Sequence, residues 1–267
     1  MCYAINSKSS FVFHFFLVVL LTALFFTTPI TADTLNVPSV PYPTIQDAID
    51  AAGSGDIVQV AAGTYYERIT HKSGVHVLGA GKTVTTINGQ NLGAVVTADN
   101  VNSAAKLDGF TITNGSGFST HGGGIHLSNG DLVISNCAIT DNHTSGSLAK
   151  GGGIYCTSGS TATIQDCEIT LNSSKHGGGI YIDNCAPSIL NCLIEQNTAT
   201  GDDKGGGLYC TDSSASSSII DCTVSNNNGS GIYCGIYFHP TIENCTITGI
   251  DAHAGAGIYC YSSTPSL

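Results

Sequence analysis

GGGIYC at residues 151–156, followed by DCEI at 166–169, is the stretch that decides the architecture. The first phrase returns as GGGIHL from Gly122, GGGIYI from Gly177 and GGGLYC from Gly205, and more weakly as GSGIYC from Gly229 and GAGIYC from Gly255. The second phrase, Asn or Asp, then Cys-x-Ile/Val, returns at Cys137, Cys192, Cys222 and Cys245. The residue just before the Ile or Leu falls at 124, 153, 179, 207, 231 and 257, in steps of 29, 26, 28, 24 and 26. A unit this short, with two strand-like phrases, cannot bury an apolar face alone and must stack on its neighbours.

Each unit reads as three strands. In Gly-Ile-Tyr-Cys the Ile and Cys point one way and the Tyr the other, as a period of two demands. A second strand surrounds Ile164, Ile189 or Ile219, and a third is Cys-x-Ile, as in Cys167-Glu-Ile169. The Asn or Asp before each Cys marks a tight corner. Asn142, Asn172, Asn197 and Asn227 form a further column, whose amides can donate and accept together for buried turn backbone. Strands that pair with their counterparts one unit on make an all-β fold: a single right-handed parallel β-helix of three-strand coils, about eight turns long. The hand follows from the crossover rule for parallel strands.

Upstream the pattern loosens. Tyr42 to Ala52 predicts a short capping helix, with Ile45, Ala48, Ile49 and Ala52 at helical spacing and Thr44 as N-cap. Short strands follow at Ile57–Val60, Val75–Leu78, Thr83–Ile87, Val95–Val96 and Phe110–Ile112. Residues 42–121 are therefore expected to hold the cap and irregular first coils, and 122–267 the regular ones, within one domain over 33–267. The chain stops at Leu267, seven residues after Cys260, with no capping element, which reads as a truncated product.

Residues 1–32 read as a secretory signal peptide: Lys8 precedes an apolar run from Phe11 to Phe26, and Ala32 precedes Asp33. Cleavage leaves 267 − 32 = 235 residues with 7 Lys+Arg against 19 Asp+Glu, a net charge of −12. That balance excludes nucleic acid as a partner, since phosphate binding needs clustered cations, and membrane contact is expected only through the signal peptide during export. Ten cysteines remain, nine of them on the repeat and Cys185 off it. No C-x2-C pair occurs, so neither a metal nor another cofactor is expected. Strands stack about 4.8 Å apart, slightly far for a disulfide; the spacing favours buried thiols, with scattered disulfides as the alternative.

The segments YPTIQDAIDAA from Tyr42, GDIVQV from Gly55 and GTYYE from Gly63 resemble the N-terminal region of secreted right-handed parallel β-helix proteins of the pectin-lyase-like superfamily. The GGGIYC and Ile-x-x-Asn units are also similar to repeats of chlamydial polymorphic outer-membrane proteins, with Ile or Val replacing Phe. The resemblance runs from Tyr42 to the end. It implies contact with acidic polysaccharides, through lyases using Arg or Lys, hydrolases using several Asp, or esterases using two Asp and an Arg. No such motif matches residue by residue. Arg68, the sole arginine, is expected to pack or pair with Glu67. Asp166 and Asp221, two coils apart, read as corner residues.

The candidate site is basic. His121, Lys150, His176 and Lys204 each precede a GGG and should line up at strand spacing, with Lys175 and His126 flanking. Tyr155, Tyr181 and Tyr209, pointing away from the core, should lie beside them as platforms for sugar rings. The loops leading to this column vary most in length. The leading expectation is an exported protein, secreted or at a cell surface, that binds polysaccharide or a cell-surface glycan without an assignable catalytic site. Two others stand: a lyase or glycoside hydrolase of the pectin-lyase-like superfamily acting on acidic polysaccharide, and a fragment of an adhesin or autotransporter passenger.

Overall fold

A computed structural model describes residues 31–102, 104–118, 121–201, 205–211, 217–251 and 255–267. Residues 1–30 of the expected leader, and Lys204, lie outside the described residues. The chain from Ala32 onward is a parallel β-solenoid. Three long sheets run along it, of eight, nine and eight strands, and a fourth has four. In the coil from Gly151, sheet 1 contributes Ile154–Thr157, sheet 2 Thr163–Gln165, sheet 3 Glu168–Thr170 and sheet 4 Ser173–Ser174. Every pairing is parallel, to the same strand of the next coil. Sheet 4 was not expected: its strands are two or three residues long and follow the Asn column.

Register puts like on like. Ile125, Ile154, Ile180 and Leu208 pair in one file, and Leu127, Cys156, Ile182 and Cys210 in the next. Both files are fully buried, at most 1% exposed. Ile134, Ile164, Ile189 and Ile219 from sheet 2 and Ile139, Ile169, Ile194 and Val224 from sheet 3 complete the interior.

The repeated phrases have local causes. Gly151 sits at φ +64°, a conformation that L side chains rarely adopt. Gly153 is small for a different reason: a Cβ there would lie 2.7 Å from the carbonyl oxygen of Gly179 and 2.9 Å from Asn172 Nδ2. The corner residues Asn136, Asp166, Asn191, Asp221 and Asn244 all take φ between +50° and +55°, which Asn and Asp tolerate. The next residue, Cys, closes the corner by donating its thiol to the carbonyl two residues back, at 3.2 Å for Cys137, 3.1 Å for Cys167 and 3.2 Å for Cys192. Asp166 accepts from Asn191 Nδ2 at 2.7 Å, so this carboxylate is a corner residue.

The asparagine column is a hydrogen-bond ladder. Asn172 Oδ1 accepts from the backbone N–H and the Nδ2 of Asn142, both at 3.0 Å. Its own Nδ2 donates to Ile139 O at 2.8 Å and to Asn197 Oδ1 at 3.0 Å. Asn197 repeats the pattern with Asn227. Buried turn backbone is thereby satisfied by side-chain amides.

The helix is shorter than expected, Ile45–Ala51, because Pro43 disfavours helix in the residue before it and Thr44 caps the start. Thr44 Oγ1 accepts from Asp47 N at 3.1 Å. Glu67 provides a second cap from across the fold, accepting from the N–H groups of Ile45 at 3.0 Å and Gln46 at 3.1 Å. Glu67 is therefore committed to the helix and forms no ion pair with Arg68, so of the two expectations for Arg68, packing or pairing with Glu67, the pairing does not hold. Among the described residues no cysteine is in a disulfide, no helix is long and apolar enough to cross a membrane, and no cluster of three His, Cys, Asp or Glu could hold a metal ion.

Candidate functional site

The outer face of sheet 1 carries the candidate residues. Thr97, His126, Tyr155, Tyr181, Tyr209, Tyr233 and Tyr259 occupy one outward file, paired coil by coil. Beside it runs the basic column. Lys150 bridges His176 in parallel register, and the N–H of Gly122 donates to Lys150 O at 3.0 Å, as that of Gly151 does to His176 O at 3.1 Å. His121, Lys150 and His176 thus line up as the repeat predicts.

The tyrosines point outward, as their place in the strand requires, yet they are not open platforms. Tyr155 is 5% exposed, Tyr181 4% and Tyr233 6%. Each ring lies against the next: Tyr181–Tyr209 centroids are 4.7 Å apart at 12°, Tyr209–Tyr233 4.5 Å at 8° and Tyr233–Tyr259 5.2 Å at 12°. Strand spacing of about 4.8 Å is also a stacking distance, so a column of aromatic residues consumes its own faces.

The basic column completes this layer. Each of its described members covers the tyrosine one coil further on. The His121 ring is 4.8 Å from that of Tyr155, Lys150 Nζ is 4.8 Å from the Tyr181 centroid, and the His176 ring is 5.5 Å from that of Tyr209. The two columns that were read separately in the sequence are one interlocked surface. Its edges, and not the ring faces, are what it offers to solvent.

Charge on this layer is partly spoken for. Lys150 Nζ donates to Asp183 Oδ2 at 2.7 Å, and the Tyr155 hydroxyl donates to the same oxygen at 3.2 Å. Burial, with Asp183 alongside, pushes the Tyr155 hydroxyl up to about 12. Burial lowers the pKa of His121, and Lys150 and His126 push it the same way against Asp183. His126 is lowered by burial against the opposing pull of Asp99. Lys175, expected to flank the column, instead donates to Ser147 O at 3.0 Å and borders a depression of about 520 Å³ with Ser145, Ser173 and Thr200.

One element of this face had no sequence signal. At the N-terminal end of the outward file, where tyrosine gives way to His126 and Thr97, a cavity of about 390 Å³ opens. Arg68, Asn91, Ser116 and His121 also line it. Arg68 is exposed and takes part in none of the ion pairs among the described residues. The residues come from four coils of irregular length, so nothing in the spacing brings them together on paper.

The comparisons agree with this architecture. The family described as "Right handed beta helix region" matches residues 67–237 and 187–267, and the chain belongs to it. That assignment carries the right hand of the solenoid. A pectin methylesterase from carrot superposes with a TM-score of 0.55 at 14% identity, covering 88% of this chain and 88% of its own. One from Aspergillus niger gives 0.52 at 18%, covering 89% and 86%. A pectin methylesterase solved in complex with a hexasaccharide gives 0.53 at 14%, covering 88% and 90%. At these identities the likeness is one of fold, the pectin-lyase-like β-helix. Comparison with curated proteins yields no match.

Proposed function

We propose that this is an exported β-helix protein that binds an acidic polysaccharide along the outer edge of sheet 1, without an assignable catalytic site. The observation that carries this reading is the in-register column His121, Lys150, His176. A polymer of repeating sugars needs donors that repeat along a rigid surface, and a solenoid presents one per coil. Lys204 would extend the column by one coil. Tyr155, Tyr181 and Tyr209 hold the donors in place from below and offer ring edges to the sugar. The leader over residues 1–32 and the likeness of the repeats to chlamydial polymorphic outer-membrane proteins support a secreted or cell-surface location. The solved structures of similar fold are pectin methylesterases, one of them in complex with a hexasaccharide, which favours a uronic-acid polymer as ligand.

The test is retention of the purified chain on immobilised polygalacturonate. The native chain should be retarded and salt should release it, because contacts between exposed charges are screened over about 10 Å at 0.1 M. Lys150→Ala with Lys204→Ala should cut retention several-fold. Unretarded passage of the native chain would sink the reading.

A further inference from the structure

We infer that the cavity bounded by Arg68, His121 and His126 is a subsite for the carboxylate of one sugar-acid unit. This deepens, and rests on, the polysaccharide-binding reading. The cavity is about 390 Å³, within the range of about 300–1,000 Å³ typical of small-molecule sites. Among the described residues no carboxylate lines it, in a chain that carries 19 Asp+Glu against 8 Lys+Arg. Such a local reversal of sign selects for an anion.

The individual groups support this. The Arg68 guanidinium is permanently charged, and its planar fork matches a carboxylate in two parallel hydrogen bonds. It lies against the 91–94 turn, where a Cβ at position 93 would sit 2.7 Å from Arg68 Nη1. His121 Nδ1 is buried without a hydrogen-bond partner, in contrast to the paired amides of the asparagine ladder. His126 stands edge-on to Tyr155 at 5.4 Å, so its orientation is set by packing. Asn91, Ser116 and Thr97 add the amide and hydroxyl groups that sugar hydroxyls require. The carboxylates nearest in effect, Asp99 toward His126 and Asp183 toward His121, do not line the cavity, and Asp183 is held by Lys150 and Tyr155.

The two histidines face Lys150, Asp183, Asp99 and each other, and burial keeps both neutral more readily than in water. A bound carboxylate reverses that preference. Affinity should therefore rise as pH falls through the histidine range, until the ligand's own carboxylate takes up a proton.

Calorimetric titration with digalacturonate decides the matter, with neutral galactobiose and sodium sulfate as comparators. Digalacturonate should bind more tightly than either, and more tightly near pH 5.5 than near pH 7.5. Arg68→Gln should weaken it about tenfold or more, the range for a hydrogen bond to a charged group. Because Arg68 is exposed and unpaired, this variant should keep the native unfolding midpoint. His126→Gln should flatten the pH profile. Equal affinity in Arg68→Gln, a flat native pH profile, or sulfate matching digalacturonate overturns the subsite. If the native chain is retained on polygalacturonate yet ignores digalacturonate, the subsite falls and the broader reading stands. If it binds neither, both fall.

Discussion

The first coils, up to residue 118, and the regular coils from Gly122 to Cys234 solve one problem differently. In the regular coils two polar columns meet their own kind one coil away. Asn pairs with Asn, and Tyr stacks on Tyr. In the first coils the letters do not repeat, and buried polar groups stand singly. His71 is 4% exposed and sits between two carbonyls, of Lys72 and Lys106. Arg68 has no ion-pair partner at all among the described residues. Repetition satisfies side chains internally and leaves little for a ligand. The break in repetition leaves groups unclaimed, and the cavity lies at that break.

The largest test of this contrast is Asn172→Ala. It strands the backbone N–H of Asn142, one Nδ2 hydrogen of Asn142 and the carbonyl of Ile139 in a dry interior. At about 1–3 kcal/mol for each unsatisfied group, the loss should be about 4 kcal/mol. Chemical denaturation should show it as a drop in midpoint. A loss under about 1 kcal/mol would mean that water enters the ladder and that its closure is not what stabilises the regular coils.

Next is the aromatic layer. Tyr181→Ala removes a buried ring flanked by Tyr155 and Tyr209 and roofed by Lys150. About 3 kcal/mol should be lost, the lower end for a buried aromatic residue. His126→Ala, in the same file but half-buried at the break, should cost about 1 kcal/mol or less. Equal costs would erase the distinction between the two ends of the file.

Much of this was legible in the sequence, for a definite reason. Strand stacking turns equal spacing in the text into columns in space, so the interior files, the glycine turns, the corners and the asparagine ladder could all be read. The direction of Tyr155 was equally readable, because alternation sets it. Its exposure was not, because that depends on the lateral reach of His121 from the coil before. Sheet 4 escaped notice since a strand such as Ser173–Ser174 is too short to show alternation. The Arg68 cavity joins His121 and His126 of the first GGG unit to residues 68, 91, 97 and 116, where the repeat has not yet begun and register has no textual mark.

Acid should separate the two regions. Burial lowers the pKa of His71 to about 4, outweighing the two carbonyls that favour its charged form. In the unfolded chain the group titrates near 6.5. A folded pKa below the unfolded one stabilises the fold above pH 6.5, and the contribution is lost as pH falls from about 6.5 to about 4. The amount is about 3 kcal/mol, from 1.36 kcal/mol per pH unit. The asparagine ladder does not titrate. Hydrogen exchange corrected for intrinsic rates should therefore show the first coils losing protection before the regular coils, and His71→Gln should remove the difference. Simultaneous loss would show that the solenoid unfolds as one unit and that local polarity does not divide it.

The smallest effect sits inside the regular coils and tests how complete their regularity is. The residue before each ladder asparagine takes a left-handed conformation: Asp141 at φ +54°, Leu171 at +57°, Gln196 at +55° and Asn226 at +52°. Leucine is the poorest fit of the four, and at 51% exposure it gains little from packing. A non-glycine residue in this region costs roughly 1–2 kcal/mol, and asparagine visits it far more readily. Leu171→Asn should raise stability by about 1 kcal/mol, read as a higher denaturation midpoint at unchanged slope. A drop instead would mean that the Leu171 side chain packs on its coil neighbours more than its exposure implies, and that the turn column tolerates apolar residues because the ladder beneath it has already set the backbone.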